Sequence, residues 1–93
     1  MRPSRNPVLL EALGSCLKDR RIELGITQED VASAAGIDRP YITLIESARK
    51  QPTISVLWKL AAAVQFSPAE FAERIERRHR ALKRRAREAP SEV

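Results

Sequence analysis

Apolar residues recur at helical spacing in five stretches, each opened by a capping residue. Asn6 opens the first, with Pro7 at the first helical position, where its missing N–H costs nothing. Leu10, Leu13, Leu17 and Leu24 form its stripe, Cys16 joins them, and Gly25 closes it. Gly14 in its interior reads as a small penalty, about 1 kcal/mol against Ala. Thr27 opens a short second helix over 28–35, with Glu29 and Asp30 in the turn the helix dipole favours, and Gly36 ends it. Asp38 caps a third, which tolerates Pro40 in its first turn and runs to Glu46 or Ser47. The loop Ala48-Arg49-Lys50-Gln51-Pro52 follows. Thr53 caps a fourth helix with the stripe Ile54, Leu57, Ala61 and Val64, flanked by Trp58 and Leu60. The capping box Ser67-Pro68-Ala69-Glu70 starts a fifth, which runs to about Glu88, before Pro90. No stretch alternates with the period of a strand, so the expected class is all-α.

With 93 residues the chain is expected to hold one compact domain over 7–76, a flexible arm over 1–6, and a basic helical extension with a disordered tail over 77–93. Aromatics are only 4% of residues, so Leu, Ile, Val and Ala must build the core. The net charge of +5 favours a polyanionic partner, and residues 73–93 carry eight of the 17 basic residues against four acidic ones. A single cysteine and a single histidine exclude a disulfide framework, a Cys-rich metal site and a two-histidine cluster, so no metal or cofactor is expected. Gly14, Gly25 and Gly36 are too far apart for a phosphate-cradling loop, and no motif places a nucleophile, so an enzyme is not expected. No apolar run approaches the ~20 residues of a membrane span, and the N-terminus lacks a signal peptide's apolar stretch. A cytoplasmic protein is the expectation.

The informative stretch is Gln28 to Ile45. Val31, Ala35, Ile37, Ile42 and Ile45 are its apolar positions, Ala32 is small where two helices approach, and Gly36 permits the positive φ of a sharp turn. This is a helix-turn-helix pattern, against which stands a generic helical hairpin. Its residues, Leu24-Gly25-Ile26-Thr27-Gln28-Glu29-Asp30-Val31-Ala32, Gly36-Ile37, Tyr41-Ile42-Thr43-Leu44-Ile45-Glu46, Pro52-Thr53-Ile54 and Leu57, resemble the Cro/cI-type (XRE) helix-turn-helix family of phage repressors and bacterial regulators. The resemblance covers roughly residues 9–71. It implies a five-helix, lambda-repressor-like domain that binds double-stranded DNA as a homodimer, with the third helix in the major groove. It also implies a phosphate contact from Gln28, where capping is the other reading, and a structural ion pair between Arg21 and Glu46. Ser47-Ala48 departs from the family, which often has a basic residue followed by Gly.

Helices of this type read base edges with their N-terminal residues. Arg39 is the best base reader, its fork matching guanine O6 and N7, with a phosphate contact as the alternative. Thr43 and Pro40 offer apolar contact to a thymine methyl, and Thr43 can also hydrogen-bond; Leu44 makes the apolar contact or covers core. Tyr41 reaches phosphate or packs, and Arg49 and Lys50 suit the DNA backbone or stay solvated. Trp58 and Phe66 are the candidates for a dimer surface. Phe71, Ile75 and Leu82 keep a possible coiled-coil seam, which Arg78 and Arg85 interrupt. Arg77-Arg78-His79-Arg80 and Lys83-Arg84-Arg85 touch flanking phosphate or form a solvated face. The expected function is a sequence-specific transcriptional regulator, in the first place a repressor, of bacterial or phage origin, nucleoid-associated when bound. Two alternatives stand beside it: the antitoxin of a toxin–antitoxin pair, and an adaptor that kept the fold and lost DNA binding. A toxin or RNA polymerase is the protein partner to consider.

Overall fold

The computed structural model describes residues 5–88, all five helices among them: α1 (Pro7–Leu24), α2 (Gln28–Ala35), α3 (Arg39–Glu46), α4 (Ile54–Ala63) and α5 (Pro68–Glu88). The outer part of the arm and the tail beyond Glu88 lie outside the described residues. Local chemistry sets the helix starts. Asn6 accepts from the Leu9 N–H at 3.0 Å, and Thr53 from the Val56 N–H at 3.2 Å. Ser67 and Glu70 exchange the two bonds of the expected capping box (2.8 and 3.1 Å), and Thr27 and Asp30 form a second one. Gly36 closes α2 at φ 66°, and Ile37 donates back to the Ala32 carbonyl at 2.9 Å.

Asp38 differs from expectation. It holds the N-cap position of α3, but its side chain makes no cap bond. Pro40 has no N–H to give, and the Tyr41 N–H already donates to the carbonyl of Asp38 at 3.0 Å. The carboxylate is left exposed at the leading end of α3.

One core joins all five helices: Ala12, Leu13, Cys16 and Leu17 of α1, Val31, Ala32 and Ala35 of α2, Ile42 and Ile45 of α3, Leu60, Ala61 and Val64, and Phe71 and Ile75 of α5. One expectation fails here, and one open possibility is narrowed. The buried stripe of α4 is Leu60, Ala61 and Val64; Val56 and Leu57 of its first turn are half-buried against the same core, whereas Ile54 faces outward at 68% exposure. The seam of α5 is also spent within the chain. Phe71 and Ile75 are buried, Leu82 packs against the same core, and α5 lies antiparallel along α1, pinned by Arg78–Asp19 and by Arg74–Glu23 at 3.0 Å. Helix α5 runs unbroken from Pro68 to Glu88.

Gly14 is no mere propensity defect. A Cβ there would stand 2.5 Å from the carbonyl oxygen of Ile45 and 2.8 Å from that of Glu46. The backbone of α1 therefore seats directly on the carboxyl end of α3, and only glycine admits that approach.

Candidate nucleic-acid interface

The geometry of α3 follows from what holds it. Ile42 and Ile45 are fully buried, which fixes its roll, and turns Arg39, Pro40, Thr43 and Leu44 outward. Arg39 and Thr43 are one turn apart and share a face. Leu44 is partly exposed at 38%, flanking that row.

The rear of the helix is tied down by charge. Arg21 donates to Glu46 through both arms of its fork, Nε to Oε2 at 2.8 Å and Nη2 to Oε1 at 3.0 Å. Its third arm donates to the Ile26 carbonyl at 3.2 Å, tying in the turn before α2. Side-chain exposure is 15% for Arg21 and 5% for Glu46, so solvent screens the pair little. The bonds to Glu46 hold the guanidinium above its ordinary pKa. This is the ion pair expected from the resemblance; it joins α1 to the end of α3, and a buried pair by itself is weak evidence of stability.

Gln28, the first residue of α2, is caught between these groups. Its Nε2 donates to Glu46 Oε1 at 3.1 Å, and its Oε1 accepts from the Thr43 hydroxyl at 2.9 Å. Neither capping nor a free phosphate-reaching side chain describes it. Residue spacing offered no signal for this bridge, because it crosses from one helix to the next.

The remaining cations flank the row. Arg49 and Lys50 are exposed just past α3, and the Lys50 ammonium lies 5.6 Å from the Tyr41 ring centre. Tyr41 is half-buried, packed against the core, and burial pushes its phenol up. The loop leaves α3 through Ala48 at φ 62°, with the Arg49 N–H donating to the Leu44 carbonyl at 2.8 Å. Alanine thus takes the left-handed cap that the family's glycine would occupy.

The two aromatics expected at a dimer surface are placed differently. Trp58 is 52% exposed beside Ile54 on the outer face of α4. Phe66 is used within the chain: the guanidinium groups of Arg20 and Arg74 lie 4.2 and 5.3 Å from its ring centre, and it stacks on Phe71 at 6.0 Å. Among the described residues no group of His, Cys, Asp or Glu could hold a metal ion, and no helix is long and apolar enough to cross a membrane.

A short helix with a polar, cationic outer row, braced across a second helix by a Gly turn, defines a DNA-binding helix-turn-helix protein. The chain belongs to the Cro/cI-type (XRE) family: it matches the helix-turn-helix family HTH_3 over residues 17–71. It is a DNA-binding transcriptional regulator and not an enzyme. It is similar to the HTH-type transcriptional regulator YqaF of Bacillus subtilis, 42% identical over 57 residues, which cover 61% of this chain and 75% of that one. It is also similar to the ImmF control region 10 kDa protein of Bacillus phage phi105, 35% identical over 54 residues, 58% of this chain and 60% of that one. Among solved structures it resembles the restriction-modification controller C.Esp1396I, whose tetramer was solved on its 35 base-pair operator: TM-score 0.72, 32% identity, 76% of this chain and 93% of that one. The clp gene regulator ClgR of Corynebacterium glutamicum shares the fold, with TM-score 0.79 over 91% of this chain and 88% of that one at 24% identity.

Proposed function

We propose that this protein is a repressor that binds a two-fold symmetric operator as a homodimer, with the leading half of α3 in the major groove of each half-site. Arg39, Pro40, Thr43 and Leu44 face the base edges. Arg39 is the principal reader, its fork suited to guanine O6 and N7. Tyr41, Arg49, Lys50 and the N-terminus of α2 at Gln28 lie on the phosphates. Two copies place two α3 helices about 34 Å apart, one helical turn of DNA. The outward pair Ile54 and Trp58 on α4 supplies apolar surface for the second copy.

The observation that carries this reading is the combination in α3 of a fully buried Ile42/Ile45 floor, a bidentate Arg21–Glu46 anchor and an exposed outer row headed by Arg39. A helix held so firmly at the back and left open in front is built to present its front. The operator complex of C.Esp1396I supports the same use of the fold.

The test is a binding titration at several salt concentrations. Arg39→Ala is expected to relax preference at one base pair per half-site, whereas Lys50→Ala weakens all sequences alike and lowers the salt slope by about one unit. Uniform weakening by Arg39→Ala would reassign that residue to phosphate. An unchanged slope for Lys50→Ala would remove it from the interface.

A further inference from the structure

The hydrogen bonds at the rear of α3 have a forced direction. A carboxylate only accepts, so Glu46 obliges Gln28 to turn its NH2 toward it, at 3.1 Å. The amide oxygen of Gln28 then faces Thr43 at 2.9 Å and can only accept. The Thr43 hydroxyl must therefore donate inward. Its other near neighbour, the Arg39 carbonyl at 3.4 Å, is an acceptor too. Among the described residues, both groups that reach this hydroxyl can only accept its one proton.

We propose that Gln28 is a positioning residue that transmits the polarity of the Arg21–Glu46 pair to Thr43, so that Thr43 meets DNA as a methyl group and an acceptor, never as a donor. The base pair that complements such a surface is A·T. Its major-groove edge carries both a methyl group, on thymine, and an amino donor, adenine N6. A G·C pair offers an amino donor without the methyl, and guanine's acceptors O6 and N7 meet only lone pairs. Thr43 thus selects A·T at one position in each half-site, chiefly through its methyl. This inference rests on the operator-binding reading and adds to it the base that Thr43 prefers and the residue that makes it do so.

The experiment uses the full chain and sites selected from random duplex DNA. The readout is the affinity ratio between A·T and G·C at each position, whatever the absolute affinity. Thr43→Val keeps the methyl and removes the hydroxyl, and is expected to keep the A·T preference. Thr43→Ser keeps the hydroxyl and removes the methyl, and is expected to lose it. Replacing that thymine by uracil should weaken the unsubstituted protein about three- to fivefold, the worth of one buried methyl group, and leave Thr43→Ser indifferent. Placing 5-methylcytosine in the G·C site should recover the same factor. Gln28→Leu removes the acceptor, frees the hydroxyl to turn toward guanine, and should narrow the A·T preference at that position alone, an effect that a purely structural Gln28 would not produce.

Retention by Thr43→Ser together with loss by Thr43→Val would overturn the proposal, since the hydroxyl would then be the reader. Unchanged preference in all three variants would overturn it as well. If the unsubstituted protein selects no site, the operator reading fails first, and the relay is judged without DNA. It makes the Tm losses of Thr43→Val and Gln28→Leu non-additive, whereas additive losses would refute it.

Discussion

Replacing Gly14 by alanine sets two effects of opposite sign against each other. Helix propensity favours alanine inside α1 by about 1 kcal/mol, so propensity alone raises Tm. Packing opposes it. The new Cβ would lie 2.5 Å from the Ile45 carbonyl oxygen, 2.8 Å from the Glu46 oxygen and 3.0 Å from the Glu46 carbonyl carbon, all well inside the 3.4 Å at which ordinary contact begins. These are backbone atoms, which cannot swing aside as a side chain can. The end of α3 must move bodily, and overpacking of that kind costs about 3 kcal/mol, the upper end of the usual range. The net loss is about 2 kcal/mol, a Tm fall of roughly 8–16 °C for a domain of this size. Thermal unfolding followed by circular dichroism measures it. Because Glu46 travels with the end of α3, its 2.8 and 3.0 Å bonds to Arg21 are strained as well, and site-specific DNA binding should fall further than nonspecific binding. A Tm raised by roughly 4–8 °C, the propensity effect alone, would refute the close approach.

Other substitutions and conditions give further checks. Ala48 and Gln65 both hold left-handed conformations, at φ 62° and 59°, so Ala48→Gly and Gln65→Gly should each raise stability by up to about 1 kcal/mol; a fall in Tm for both would contradict those helix ends. Acid should destabilise the fold. Arg74 and Arg20 hold the Glu23 carboxyl below its ordinary pKa, and the backbone N–H groups of Thr27 and Ser67 do the same for Asp30 and Glu70. Stability from lowered carboxyls is present above the unfolded pKa and lost as pH falls through the folded one, so Tm should drop between pH ~5 and ~3, and a flat profile there would count against these contacts. Cys16 is buried, its thiol donating to the Arg74 carbonyl at 3.5 Å, and burial pushes that thiol up, so maleimide should label it slowly until the protein is denatured; rapid labelling of the native protein would contradict this packing.

The helix boundaries were legible in the sequence because caps act within four residues: Asn6, Thr27, Thr53 and Ser67 each meet their backbone partner three positions on. The Arg21–Glu46 pair was legible only by resemblance, since 25 positions separate its members. What spacing missed depends on how helices meet. Gly14 looked like a local defect because its reason lies on α3. Asp38 looked like a cap because the loss of a donor at Pro40 had to be set beside the Tyr41 backbone bond. The ends of α3 and α4 carry no glycine, so residue type at Ala48 and Gln65 gave no sign of a left-handed turn, and only the family's glycine after the third helix pointed to the one at Ala48. On α4, Ile54 fits the helical stripe by period, yet it faces outward with Trp58, away from the core. For Gln28, the resemblance implied a phosphate contact and position a cap, while the directed bonds to Glu46 and Thr43 appear only in three dimensions.

On the proposed function, two copies of α3 read one duplex with Arg39 leading. Selection of bound sites from random double-stranded DNA, with the mass of the complex measured in solution, tests it most directly. The expected result is an inverted repeat whose half-site centres lie about one helical turn apart, held by two chains or a multiple of two. Either no enrichment over random sequence or a single unrepeated motif held by one chain would contradict it.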